Sequence, residues 1–408
     1  MAKIAIEDIA AIVRKQGSMF LPGVAGRPGA FLADIARTPG SLGGVRVVSG
    51  FVSGINAFDA LDATGAEISG FFPAPPHSVS PVTFLRETYF GIDRQVQRLS
   101  PAAVVIDVAP PRADGSSALG VAADFTETAL RHAEMRIAVI NPALPDLPLS
   151  PRVDLAGFDF VSEANHPLLV MPDLSCDSVS EEIAARLAAL VPDGATIQLG
   201  IGRIPGQMLQ ALLGHRGLRF HSGIVTGGIR RLAESGALAE GVSVVAASFG
   251  GDPGFYSWLG GRREFRLAPV SYTHAPETLA RIAGLVAINS ALEVDLLGQV
   301  NAEWVGGRRV SAPGGLPDFA HAAQRAPRGL AVIALPSTDS TGQKSRIVTR
   351  LRAPATVPPG GVDVVVTEFG AADLRGRTCR ERALLLASIA APAFREELAA
   401  SATSAIPA

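Results

Sequence analysis

Two glycines at the end of a β-branched run give the sharpest chemical signal in the sequence. In TIQLGIGRIPGQMLQALL (196–213), Gly200 and Gly202 stand where an extended run stops and an amphipathic one begins. Pro205 suits a first helical turn. Glycines here let backbone N–H groups approach an anion or oxyanion closely, beside the positive end of a helix. The spacing, G-x-G followed by Gly206, is not the dinucleotide G-x-G-x-x-G, and GHRGLRFHSG (214–223) lacks the acidic residue expected downstream. That disfavours a nicotinamide dehydrogenase. Plain turn geometry is the other reading of such glycines.

Four further segments carry residues suited to chemistry. In SALEVDLLGQVNAE (290–303), Glu293 and Asp295 alternate with apolar residues, so on a strand they share a face. Paired carboxylates do acid–base work if burial separates their pKa values, or they simply hold loops. In SAPGGLPDFAHAA (311–323), Gly314 and Gly315 form a second candidate cradle of backbone donors, before a helix that Asp318 could cap. LPSTDSTGQKSRIV (335–348) is a polar loop with Lys344 and Arg346. VTEFGAADLRGRTCRERA (366–383) brings Arg375, Arg377, Arg380 and Arg382 together, to meet phosphates or to form a solvated helix start.

The elements that must position these residues follow one rhythm: a short β-branched run, a glycine-containing turn, then an amphipathic helix. That is the pattern of parallel α/β layers. Strands are expected at 45–51, 102–109, 136–143, 195–201, 242–249, 284–290, 329–335 and 362–369. Their near-continuous apolar character suits burial on both faces. Helices are expected at 122–133, 206–215 and 379–390. The composition breaks at LVMPDLSCDSVSEEIAARLAAL (169–190), where Pro172 and Asp173 end a strand and Ser178 could cap a helix with Glu181 three residues on. This predicts two α/β domains, 1–178 and 179–408, with no visible internal repeat. PPHSVSPVTFL (75–85) reads as a loop and the C-terminal AASATSAIPA as a frayed tail.

With 408 residues, 48% hydrophobic and 18% charged, the chain has ample material for sizeable cores. A net charge of -2 gives no reason to expect nucleic acid or an anionic membrane as partner. The only lysines are Lys3, Lys15 and Lys344, so the basic residues are almost all arginine, a feature that also follows from a GC-rich genome. Cys176 and Cys379 have no metal-ligand spacing, and a reduced pair is expected. No metal site is expected. The start MAKIAIEDIAAIVRKQG does not read as a signal peptide, and no window has the length of a bilayer span, so the cytoplasm is expected.

Taken in order, LQLGIGRIP-like TIQLGIGRIP, ALEVDLLGQVNAE, GGLPDF, ALPST…SRIV and VVTEFGAADLRGR resemble the acetyl-CoA hydrolase/acetate CoA-transferase family, which includes 4-hydroxybutyrate CoA-transferase. VINPALPDLP and DFVSEANHPL resemble blocks of its N-terminal half. The likeness is good over roughly 100–390 and weak before that. It implies two open α/β domains of CoA-transferase type with the active-site cleft between them, and a homodimer or higher oligomer. It also implies a small-molecule acyl-CoA partner, with coenzyme A as substrate or product and no permanently bound cofactor. Family transferases use a glutamate nucleophile that passes through an anhydride to a glutamyl-CoA thioester.

This sequence departs from that pattern. The family's glutamate follows a His-Ser or His-Thr pair; here His221 and Ser222 are followed by Gly223. Where the family shows an asparagine that helps hold the thioester oxygen, PVSYTHAPE (269–277) has His274. Leu316 and Pro317 stand where members tend to carry a glutamine. Glycine has no side chain, so no acyl-enzyme can form at 223. The expected activity is therefore thioester or C–C hydrolysis of a CoA ester without a glutamyl intermediate. His274 or His221 would be the general base, because histidine titrates near working pH. His274 could instead donate to the oxyanion, and the space vacated at 223 could hold the water or a bulkier acyl group. Two alternatives remain: a CoA-transferase whose nucleophile has moved to Glu293, and a non-catalytic CoA-binding protein.

Overall fold

The structure, a computed structural model, describes residues 2–74, 81–171 and 177–404. The chain divides into two compact units: 1–172 with 223–227 and 244–275, and 173–222 with 228–243 and 276–408. The expected strand end at Pro172 and Asp173, and Cys176, lie outside the described residues, as do 75–80 of the expected loop.

The first unit begins with β1 (Ala2–Lys3), β2 (Ser18–Leu21), β3 (Arg46–Ser49), β4 (Glu67–Gly70), β5 (Val82–Phe84), β6 (Ala103–Val108), β7 (Ser116–Ala118), β8 (Met135–Ile140), β9 (Arg152–Asp154) and β10 (Phe160–Glu163). Eight form a sheet in the order β1-β10-β8-β6-β2-β3-β4-β5, with parallel pairings throughout. Parallel neighbours need crossover helices, which cover the faces and bury the strands. All six residues of β6 are buried as a result, Asp107 included. The chain leaves β2 through the helix Gly29–Arg37 toward β3, and leaves the adjacent β6 toward β8 on the other side. Connections that diverge from neighbouring strands open a crevice at their carboxyl ends.

Downstream come β11 (Thr196–Leu199), β12 (Arg219–Thr226), β13 (Val244–Gly250), β14 (Phe265–Leu267), β15 (Leu285–Ser290), β16 (Glu293–Asp295), β17 (Val300–Asn301), β18 (Trp304–Val305), β19 (Arg308–Arg309), β20 (Leu330–Ala334), β21 (Ile347–Val348), β22 (Val364–Thr367) and β23 (Gly370–Asp373). β13 and β14 pair within the first unit. The second unit's strands run β12-β11-β15-β20-β22-β23, parallel until the antiparallel β23. Here β11 leads toward β12 and its neighbour β15 toward β20, a second divergence point. The first unit's core gathers Val13, Met19, Phe31, Phe51 and Val105. The second has separate clusters around Leu285 and Phe319 and around Val294, Val365 and Leu386.

All eight expected strands form, most of them trimmed; β8 begins one residue early at Met135 and β13 runs one residue further, to Gly250. The helices differ in detail. The helix Ser178–Ala189 is capped by Asp177, not Ser178: the Asp177 carboxylate accepts from Ser180 N at 2.8 Å. Asp318 lies inside the first turn of Leu316–Arg325, where its charge suits the helix dipole, and Gly315 occupies the cap. The helix expected at 122–133 begins only at Thr126, because Ala123 N and Asp124 N both donate to Ala247 O. Within the expected loop 75–85, Val82–Phe84 pairs with β4. The tail is helical through Ser404, and 405–408 lie outside the described residues. Among the described residues no helix is long and apolar enough to cross a membrane.

Candidate active site

The second unit gathers several of the singled-out residues by topology. Gly200 and Gly202 follow β11, and Glu293 follows β15, its neighbour. The helices Arg203–Ala211 and Leu316–Arg325 return antiparallel to their strands, so their N-termini sit over the strands' carboxyl ends. Gly202 and the Gly314–Gly315 pair open those helices. Two positive helix ends with glycine caps make an anion-binding geometry. The glycines are not equivalent. Gly202 has φ +125° and ψ −171°, accessible to glycine alone, and Gly314 has φ +57°. Gly200 has ordinary backbone, and its N–H donates to Ile288 O at 3.3 Å, so the sheet already uses that amide. Beneath them Gln198 and Asn289 exchange side-chain amide hydrogen bonds of 2.9 and 3.2 Å.

The carboxylates at 293 and 295 have separate roles. Asp295 is fully buried and accepts from Leu297 N, Gln299 N, Gln299 Nε2 and Leu351 N, so it holds a loop. Glu293 is half-buried, and Asn301 Nδ2 donates to its Oε2 at 3.0 Å. Arg346 lies beside it in sequence register, its carbonyl accepting from Val294 N at 2.9 Å. Lys344 is exposed on the same loop. His221 is buried in β12 with its ring edge-on to Phe319, 6.3 Å between centroids, and Ser222 Oγ donates to Leu199 O. Arg375 is committed to Asp373 through two hydrogen bonds, and Arg377 and Arg382 make local contacts, so this run is in large part internally satisfied. Cys379 is exposed at the first position of the helix Cys379–Ser388.

The first unit holds His274. His274 is buried at the end of the turn Val270–Thr273. Its Nδ1 lies 2.9 Å from Thr273 Oγ1, and that hydroxyl also reaches Pro269 O at 3.4 Å. A hydroxyl donating to the carbonyl accepts from Nδ1–H, which leaves the lone pair on Nε2. Nε2 and Cε1 face Gly223: a Cβ there would meet them at 3.3 and 3.2 Å. A Cβ at 223 would need the imidazole edge to give by a few tenths of an ångström.

Two neighbours of His274 carry no sequence signal of their own. Tyr89 stacks on the imidazole, with centroids 5.1 Å apart and planes at 28°, and is wedged against Phe72 and Phe125. Burial, with the nearby Asp124 carboxyl, pushes its phenol up. Asp124 is buried, has φ +21°, and its Oδ1 has no hydrogen-bond partner among the described residues. Burial raises its carboxyl to about 8. Its carbonyl accepts from Val270 N at 2.8 Å, so it also fixes the turn that presents His274. Asp124 was hidden within a run that reads as helix; only its position next to a strand-like break hints at it. Among the described residues no group of three or more His, Cys, Asp or Glu could hold a metal.

Residues 251–402 match the model of the acetyl-CoA hydrolase/transferase C-terminal domain. The chain is 34% identical over 310 residues to the 4-hydroxybutyrate coenzyme A transferase of Clostridium kluyveri, covering 74% of this chain and 72% of that protein. It is 29% identical to the succinyl-CoA:cyclohexane-1-carboxylate CoA transferase of Geobacter metallireducens, over 97% of this chain and 93% of the other. Among solved structures, RipA from Yersinia pestis superposes with a TM-score of 0.90 at 26% identity, over 98% of this chain and 97% of that one.

Proposed function

Since this chain belongs to the acetyl-CoA hydrolase/CoA-transferase family, we propose that it hydrolyses a CoA ester without a glutamyl-enzyme intermediate, with His274 as general base. The observation that carries this reading is the imidazole edge of His274 lying against Gly223, where a Cβ would meet it at 3.2 Å. A nucleophilic carboxylate at 223 has no side chain to sit on, and a titratable base stands in its place. Coenzyme A enters as part of the substrate and leaves as product.

His274 Nε2 takes a proton from water as the oxygen adds to the thioester carbonyl carbon. The tetrahedral oxyanion collapses, the C–S bond breaks, and the imidazolium returns its proton to the departing thiolate. The products are a carboxylic acid and free CoA thiol. Backbone donors at the Gly202 and Gly314–Gly315 helix ends, with Arg346 and Lys344, are proposed to hold the anionic CoA moiety. His221, packed on Phe319, is assigned a supporting role. The same base would serve water attack in C–C hydrolysis of a CoA-linked substrate.

A second reading is a CoA-transferase with Glu293 as relocated nucleophile. It is favoured by the hydrogen bond from Asn301 Nδ2 that orients Glu293 at the start of β16. Thiol release from an acyl-CoA panel, with and without added carboxylates, tests the choice, together with hydroxylamine or borohydride trapping read by mass spectrometry. Release without acceptor and no tag on any glutamate is expected. No thiol release, with CoA passed to an added carboxylate as a new thioester and a tagged Glu293, would establish the transferase. CoA affinity with no turnover would leave a binding protein. A homodimer or higher oligomer working in the cytoplasm completes the proposal, and light scattering checks the oligomer.

A further inference from the structure

Arg27 stands apart from the other arginines of the first unit. It lies on the loop between β2 and the helix Gly29–Arg37, at the point where the connections from β2 and β6 diverge. The loop is built rather than slack. Asn56 accepts from Val24 N at 2.8 Å and donates to Val24 O at 3.1 Å, and Val24 is held at φ +47°. A Cβ on Gly23 would fall 1.8 Å from Gly50 O, so two backbones touch there. Backbone strapped in this way holds Arg27 in one place beside the divergence point.

The guanidinium that this loop presents is half-buried, and its Nε is shielded from solvent with no hydrogen-bond partner among the described residues. No ion pair joins it to a carboxylate among the described residues. Burial lowers its pKa, against the pull of Asp107 and Tyr256. Asp107, at the carboxyl end of β6, is the obvious partner and does not take the part. It is buried, accepts from Asn141 Nδ2 at 3.5 Å and from the Gly29 amide, and leaves its Oδ1 without a partner. Burial outweighs those contacts and raises its carboxyl to about 7, so near neutrality it carries much of its proton and can donate. Buried charges are normally paired, and a guanidinium fork matches a planar carboxylate.

We propose that Arg27, with Asp107 beside it, binds a substrate carboxylate other than the thioester carbonyl, making Arg27 a specificity-determining residue. The carboxylate has two possible sources: the far end of a dicarboxylic acyl chain, or a free organic acid. The inference rests on the acyl-CoA reading for the nature of the ester only.

Two measurements on the full chain test it. The first compares kcat/KM for succinyl-CoA and butyryl-CoA in the wild type, Arg27→Gln and Arg27→Lys. The second is calorimetry of succinate and butyrate with the same proteins. If the acyl chain supplies the carboxylate, Arg27→Gln lowers the succinyl-CoA to butyryl-CoA ratio roughly tenfold to a hundredfold, mainly through KM, and Arg27→Lys recovers part of it. If a free acid supplies it, both acids bind with heats that Arg27→Gln abolishes. A ratio that Arg27→Gln leaves intact, together with no Arg27-dependent heat, overturns the proposal. Should no CoA ester be turned over, the hydrolase reading falls, and calorimetry alone decides on Arg27.

Discussion

The Cβ that Gly223 lacks would stand 3.2 Å from Cε1 and 3.3 Å from Nε2 of His274. Distances that short oblige a neighbour to give way, and His274 is stacked on Tyr89 and anchored at Nδ1, so it has little room. The glycine and the histidine are thus one structural choice. Any side chain at 223 presses on the imidazole edge at 274.

Gly223→Glu alone should therefore lower turnover at least tenfold by displacing the imidazole. Adding His274→Asn frees the space for the carboxylate, so the double variant should be better folded and more active than additivity of the single losses allows. A coupling of about 0.5–3 kcal/mol is expected for residues in contact. The double variant should also acquire a hydroxylamine-sensitive acyl adduct that the wild type lacks. Additive losses with no adduct would show that the two positions do not share a function.

His274→Ala should lower kcat by about 10²–10⁴ with KM within roughly threefold, the pattern of a lost general base. The acid limb of the pH–rate profile, where a histidine base becomes protonated, should disappear in the variant. Equal losses in kcat and affinity, with the limb retained, would assign the base elsewhere.

The parallel sheets were legible because strands buried on both faces write continuous apolar runs: all of Leu330–Ala334 is buried, and its run announces it. Helix ends were less legible, since Asp177 and Ser178 are equally good caps on paper and only backbone geometry chose Asp177. Asp124 was lost in a run with helical periodicity, because the two hydrogen bonds to Ala247 O that unwind it come from a distant strand. Arg27 sits in the glycine-rich PGVAGRPGA (22–30), and the burial that leaves its Nε without a partner among the described residues comes from segments far along the chain. Asp295 and Glu293 share an alternating pattern, yet one is enclosed by four donors and the other is half-open; spacing carries no record of that difference.

Gly200 and Gly202 should respond differently to alanine. At Gly200 a Cβ meets nothing nearer than Asn289 Oδ1 at 4.0 Å, and the backbone is ordinary, so Gly200→Ala should fold and turn over substrate like the wild type. Gly202, at φ +125°, should lose about 1–3 kcal/mol of stability on Gly202→Ala, and CoA-ester KM should rise as the helix end shifts. Denaturant melts and CoA-ester kinetics on both variants check this. Equal behaviour would remove Gly202 from the anion-binding turn.

Asp124 gives the chain a stability that falls as pH rises. Its carboxyl, ordinarily near 3.8, is raised by burial to about 8. Between those values the folded state holds a proton that the unfolded state has released. Stability from this group is therefore fully present below about pH 4 and is lost progressively as pH rises to about 8, at up to about 1.4 kcal/mol per unit. Above that the group is ionised in both states and the loss levels off. Asp124→Asn keeps the shape, removes the titration, and should gain on the wild type steadily between those limits. The measurement is the wild-type minus variant difference in unfolding free energy across pH 5 to 9, which cancels every other titrating group. A difference that stays flat would mean that Asp124 is ionised in the fold, with a cation or a donor satisfying its Oδ1, and would remove the burial-driven shift.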